Sequence, residues 1–328
     1  MASEIKPLKK ILYVAMHYDY GKKEQGTSFE YNNFYPILKR MVTDVVEFDF
    51  LSILQDTGRD AMNATLLETA DRVKPDLVFF VLFTEEFKIE TLNELSKRFT
   101  TFNWFCDDHW RFDYFSSKYA PSFTFISTTD RAALPKYNGM GYNTALMTQW
   151  GCNHYGYIKL PDRTKKYDVS FVGQSHGSRK WLMKRLKWHG IKVDAFGRGW
   201  ENGRVNQEQM IGIFNASKIN LNISNASWNL HTIFRKGKEQ IKGRNFEVPA
   251  TGSFLLTNYV NGLENYFDLE QEMICFRSAG DLVRKIRYYL KNENEREEIA
   301  RRAYDRIVRE HTYEQRFKAL FASMGFEL

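Results

Sequence analysis

The apolar positions fall into short runs separated by longer amphipathic stretches. Lys10 to Met16, Val45 to Phe50 and Asp76 to Phe83 are rich in Val, Ile, Leu and Phe and read as strands. Helices are predicted after Thr27, over Asp60 to Val73 and around Ile89 to Arg98, with further strands at Thr101 to Cys106, Ser122 to Ser127 and Thr144 to Thr148. Short β-rich runs alternating with helical segments indicate βα units and a mostly parallel sheet. A polar stretch from Asn153 to Lys166, with Gly156 and Pro161, predicts a linker.

The rhythm then restarts. Tyr167 to Val172, Lys192 to Phe196, Lys218 to Ile223, Phe254 to Thr257 and Met273 to Phe276 read as strands. Ser178 to Trp188, Asn206 to Ala216 and a segment beginning near Arg244 read as helices. From Asp281 onward Leu282, Ile286 and Leu290, then Ile299, Ala303 and Ile307, recur at helical spacing. Tyr313, Phe317, Leu320 and Phe321 mark the apolar face of one more short helix. Two doubly wound sheets in tandem would place ligands at the carboxyl ends of their strands, facing the gap between domains.

Composition adjusts this picture at a few points. A length of 328 residues suits two α/β domains. Aromatic residues make up 16%, and most lie in strand-like runs where core packing is their main use. Residues 1–157 carry 17 Lys and Arg against 20 Asp and Glu, and the remainder 30 against 20, so the basic half is the C-terminal one. That excess suits a phosphorylated small molecule, nucleic acid or an acidic membrane. No nucleic-acid motif is present and the basic residues form no stripe, so a specific nucleic-acid partner is not expected. Cys106, Cys152 and Cys275 are odd in number and far apart, which disfavours a disulfide framework and metal spacing. No apolar run approaches a membrane span and no signal-peptide pattern opens the chain. A cytoplasmic location is expected, with a peripheral membrane contact left open.

The segments YDVSFVGQSHGSR, INLNIS, KGRNFEVPATGSFLLT and IRYYLKNENEREEIARRAYDRIVREHTYEQR carry a resemblance. In that order they resemble the group 1 domain of CgeB-like (spore-maturation-protein-B-like) glycosyltransferases, and TFNWFCDDHWRFDYF looks like the Trp- and Asp-containing segment that accompanies it. The resemblance implies the α/β GT-B fold: two Rossmann-like domains with parallel sheets facing an interdomain cleft, and usually no metal. The expected division is an acceptor domain over residues 1–157, a donor domain over residues 158–311, and a last segment, residues 312–328, crossing back onto the first domain. The implied reaction moves a hexosyl-type group from a nucleoside-diphosphate sugar, UDP- or GDP-linked, to a hydroxyl of a glycan, protein or small molecule. A sugar-nucleotide epimerase or hydrolase of the same fold, or a non-catalytic glycan- or nucleic-acid-binding protein, are the alternatives.

Candidate residues follow. Gly173 ends a strand before a helix carrying Arg179 and Lys180, an arrangement suited to a phosphate or to a plain βα turn. Arg244 and Glu247 lie at i and i+3, on one helix face. The guanidinium fork suits a diphosphate, and in related transferases the Glu before A-x-G takes the ribose position; the alternative is an ion pair on a solvated face. Glu239 stands eight residues ahead, matching the E-x7-E spacing of retaining family 4 transferases, although its surroundings lack their glycines. Arg235, Lys236 and Lys238 add charge suited to a leaving diphosphate or to a basic loop facing solvent. On the acceptor side, His17 and Asp19 follow the first strand, and Asp107, Asp108 and His109 follow the strand ending at Cys106. His17, Asp107 and Asp108 are candidate catalytic groups, and His109 and Asp19 candidate acceptor contacts, against the alternative of a structural loop network.

Overall fold

The computed structural model describes residues 5–162, 164–224 and 239–328. The chain divides into two compact units, Met1–Gln149 with Tyr313–Leu328, and Trp150–Thr312.

The first unit is built on a six-stranded sheet. After a short β1 (Lys6–Pro7), its strands are β2 (Lys10–Ala15), β3 (Asp44–Asp49), β4 (Leu77–Phe80), β5 (Thr100–Phe105), β6 (Phe125–Thr128) and β7 (Ala145–Met147). They run in the order β3-β2-β4-β5-β6-β7, every pair parallel. The central strand LVFF is buried at all four positions, because helices cover both faces and a parallel strand so enclosed has no polar side to present. One face packs on Met62, Leu66, Leu92 and Leu95, from the helices Arg59–Val73 and Ile89–Arg98. The helix expected after Thr27 is two short ones, Phe29–Asn33 and Tyr35–Met41. Ser28 starts the first by accepting from Tyr31 N at 3.0 Å.

The second unit carries a five-stranded parallel sheet in the order β12-β11-β10-β8-β9. Its strands are β8 (Tyr167–Val172), β9 (Asp194–Phe196), β10 (Ser217–Asn222), β11 (Leu255–Asn258) and β12 (Ile274–Phe276). The helix Gln207–Asn215 begins with a reciprocal capping box between Asn206 and Gln209. Leu282, Val283, Ile286 and Tyr289 bury the apolar face of the helix Ala279–Lys291.

The units part at Gln149–Trp150, ahead of the polar stretch expected to hold the boundary. Residues 150–158 are tied into the second unit: Cys152 N donates to His311 O at 3.1 Å, and Asn215 Nδ2 to Ile158 O at 3.2 Å. Polar composition there reflects side chains satisfied by neighbours as well as by water.

The final helix, Tyr313–Ser323, belongs to the first unit. The Phe317 ring lies 5.4 Å from Phe34, 5.6 Å from Phe79 and 6.1 Å from Trp104, on the side of the sheet opposite the cluster around Leu66. The chain then ends in β13 (Phe326–Glu327), parallel to β1. Phe317 is fully buried, so Phe317→Ala is expected to destabilise the first unit by about 3–5 kcal/mol, measured by chemical denaturation. A loss below about 1 kcal/mol would contradict this packing.

Candidate functional site

All five strands of the second sheet point the same way, and a cavity of about 430 Å³ lies at their carboxyl ends, with Ile223, Glu239, Tyr259, Phe276 and Ser278 in its wall. Two helices begin at this edge, Gly177–Trp188 and Ala279–Lys291. Their N-terminal N–H groups give the edge a positive bias. At the rim the Arg277 guanidinium lies 3.7 Å from the centre of the Tyr259 ring, a flat cationic and aromatic surface. Arg277 is aligned by its own backbone, whose N donates to Asp281 Oδ2 at 3.0 Å.

Beside this edge the fold concentrates positive charge. Arg179 is anchored on carbonyl groups, Nη1 to Gln174 O at 2.9 Å and Nη2 to Ile223 O at 2.8 Å. Among the described residues no carboxylate pairs with it. Burial, reinforced by the nearby Arg244 charge, pushes its pKa down to about 10. His176 just before the helix is pushed down to about 4 by burial, then by Arg179 and Lys242, so its ring is neutral at pH 7. Gly173 follows β8 beside this group: a Cβ there would lie 3.0 Å from the Phe171 ring and 3.3 Å from Arg179 Nη1, so a side chain would push on the guanidinium.

Arg244 opens the helix Arg244–Ala250, and its Nη1 donates to Glu247 Oε2. Burial works against its charge, but Glu247 and Tyr157 outweigh burial and leave its pKa raised. The i, i+3 pair expected from sequence therefore forms, but not on a solvated face: the Glu247 side chain is 1% exposed and that of Arg244 26%. Glu247 Oε1 accepts from Tyr157 OH at 3.0 Å. Both carboxylate oxygens are engaged, so in this structure Glu247 acts as the support that aims Arg244. A ribose contact would have to share those oxygens.

The surrounding shell is built from amides. Asn222 Nδ2 donates to Asn245 Oδ1 at 3.1 Å and to Thr257 Oγ1 at 3.2 Å, and Asn245 Oδ1 also accepts from Lys242 N at 3.1 Å. This network ties the ends of β10 and β11 to the start of the Arg244 helix. Glu239 is exposed on the cavity wall. Lys180 is exposed and borders a separate groove with Lys184 and Trp200, so it is not gathered with Arg179. Arg235, with Lys236 and Lys238, lies outside the described residues.

In the first unit His17 follows β2, its Nδ1 2.8 Å from Glu47 Oε1 and its ring 3.9 Å from that of Tyr31. Asp19 begins a single 3-10 turn, its N donating to Gly26 O at 3.0 Å. Asp107 precedes the short helix Asp108–Arg111, its carbonyl accepting from Arg111 N at 2.9 Å. Asp108 lies inside the unit. It is 2% exposed, accepts from Tyr137 OH at 2.9 Å, and burial raises its pKa. Asp108 thus lies in the interior of the first unit, held by the Tyr137 hydroxyl. His109 Nε2 faces Asp130 Oδ1 at 3.8 Å. Sequence reasoning missed Glu30, which burial, with help from Asp19 and Asp107, raises to about 7.

Residues 178–322 match the model of a family described as Glycosyl transferase-like. No curated protein matches the chain in sequence. Among solved structures, HepE of Anabaena in complex with UDP and glucose is 13% identical with a TM-score of 0.64, covering 96% of this chain and 100% of that one. The fold is GT-B. Another GT-B structure, sucrose-phosphate synthase of Thermosynechococcus elongatus, is 9% identical with a TM-score of 0.60 over 97% of both chains. S. aureus TarM, solved with fondaparinux, alpha-GlcNAc-glycerol and UDP, is 12% identical with a TM-score of 0.55, covering 80% of this chain and 58% of TarM. Among the described residues of this GT-B chain no group of three His, Cys, Asp or Glu is placed to hold a metal ion, and no helix is long and apolar enough to cross a membrane.

The Glu30 environment gives a signed prediction. Its pKa is raised from 4.5 to about 7, so the fold prefers the neutral acid. Its contribution to stability is complete below pH 4.5 and is lost as pH rises through about 7. Glu30→Gln keeps a neutral side chain at every pH. The wild type is therefore expected to lose about 2–3 kcal/mol relative to that variant across this interval, measured by denaturation at stepped pH. Parallel stability curves for the two proteins would contradict the assignment.

Proposed function

We propose that this chain is a glycosyltransferase that binds a nucleoside-diphosphate sugar through its second unit and moves the sugar to an acceptor hydroxyl. The observation that carries the reading is the Arg179 and Arg244 pair, two neighbouring cations of which Glu247 offsets one, beside a cavity at the carboxyl ends of parallel strands. An anion is what such a pair lacks. A diphosphate supplies two or more negative charges and oxygens matched to guanidinium forks. The cavity with Tyr259 and Arg277 at its rim suits the nucleoside. The Glycosyl transferase-like match over residues 178–322 and the UDP in the HepE structures support this reading, and UDP is the first donor nucleotide to try, GDP the second.

In the reaction the bond between the sugar's anomeric carbon and the diphosphate oxygen breaks, and the electron pair leaves with the diphosphate. Arg179 and Arg244 lower the barrier by holding that growing charge in place before it forms. The acceptor oxygen bonds to the anomeric carbon and gives up its proton. Asp107, Asp19 and His17 of the first unit are the groups we assign to acceptor handling, and Glu239 keeps a donor-sugar role from its place on the cavity wall. The resemblance to CgeB-like enzymes and a hexosyl donor belong to the same proposal.

Arg179→Ala and Arg244→Ala are each expected to weaken binding of UDP or GDP by about 1.5–3 kcal/mol, measured by calorimetry on folded protein. A panel of UDP- and GDP-sugars should then show diphosphate release that depends on added acceptor. Unchanged nucleotide affinity in both variants removes the site, and release that ignores every acceptor makes the enzyme a hydrolase instead.

A further inference from the structure

The helix Gly177–Trp188 has a second face whose side chains, Lys180, Trp181, Lys184, Lys187 and Trp188, are exposed among the described residues. Residues 177–193 include Arg179, Lys180, Lys184, Arg185, Lys187 and Lys192 and no Asp or Glu. At 3.6 residues per turn, Lys187, Lys180, Lys184, Trp188 and Trp181 fall in that order within an arc of about 120°. Leu182 and Leu186 lie opposite and are buried in the core of the unit. Trp188 is 79% exposed and Trp181 57%. Among the described residues Lys180, Lys184 and Lys187 have no acidic partner, whereas Lys192 pairs with Asp194 at 3.0 Å. Beside the lysines runs a groove of about 670 Å³ with Met183, Ile191 and Val193 in its floor. It borders the edge strand β9.

From this arrangement we infer that the outer face of the Gly177–Trp188 helix is a docking surface for an anionic lipid bilayer. Exposed indoles cost free energy in water and settle favourably at the headgroup level, where an apolar ring and a polar N–H are both accommodated. Unpaired lysines beside them supply attraction to acidic headgroups, and their long stems can lie along the apolar groove floor. A soluble polyanion without stacking rings would use the lysines but not Trp188. A neutral membrane would use Trp188 but leave the lysines without partners. An acidic bilayer uses both. The inference does not depend on the transferase reading, since the residues it needs, Lys184, Lys187 and Trp188, are outside the Arg179 and Arg244 group.

The test is flotation of the full chain with vesicles of phosphatidylcholine alone and with vesicles in which about a third of the lipid is phosphatidylglycerol. The protein is expected to float with the acidic vesicles only, and to be released by salt. Lys184→Glu combined with Lys187→Glu should weaken that binding at least tenfold, and Trp188→Ala at least threefold. Circular dichroism and nucleoside-diphosphate affinity should match the wild type in both variants. Failure of the wild type to float with acidic vesicles, wild-type flotation of the charge-reversed variant, or insensitivity to Trp188→Ala would each overturn the proposal.

Discussion

Two guanidinium groups, Arg179 and Arg244, are held near each other in the second unit with one buried carboxylate, Glu247, which pairs with Arg244. Left in water they would separate. Here Arg179 is fixed by the carbonyls of Gln174 and Ile223, at the ends of β8 and β10, and Arg244 by Glu247, which Tyr157 in turn holds. The charge of Arg244 adds to burial in lowering the pKa of Arg179, so an anion beside the pair would relieve both. That is why the arrangement points to a highly charged leaving group, and why the helix N-terminus beside it matters: its N–H groups add to the same field without a further side chain.

The parallel sheets were legible in the sequence because each strand is a short run of β-rich apolar residues, and LVFF or YDVSFV can hardly be satisfied elsewhere than inside a covered sheet. Arg244 and Glu247 were legible for a similar reason, since a contact three residues apart on a helix depends on local geometry alone. Their burial was not. It depends on Tyr157, ninety residues away, and on an Asn222, Asn245 and Thr257 network whose members become neighbours only when β10 and β11 pair. His176 and Glu30 were invisible for the same reason: a single titratable residue has no signature until the tertiary structure removes its water. Asp108 shows the opposite case. Its residue type and place after a strand suggested chemistry, and its burial against the hydroxyl of Tyr137 is visible only in the structure.

The helix Gly177–Trp188 links two scales of the molecule. Its first turn presents Ser178 and Arg179 to the donor edge, its buried face anchors it through Leu182 and Leu186, and its outer arc offers lysines and indoles to the surroundings. One helix therefore belongs both to the proposed diphosphate site and to the proposed docking surface. In the first unit, the closing helix Tyr313–Ser323 plays the architectural role, filling the side of the sheet that Phe34, Phe79 and Trp104 would otherwise leave open.

In the proposed function the Arg179 and Arg244 pair recognises a diphosphate. Titrating the wild-type protein with a nucleoside, its monophosphate and its diphosphate tests this most directly, because the three ligands share a base and ribose and differ only in charge and phosphate count. A steep ladder is expected, with the diphosphate bound at least a hundredfold more tightly than the nucleoside, as two charge-assisted hydrogen-bonding groups imply at about 1.5 kcal/mol each. Equal affinity for all three would contradict it.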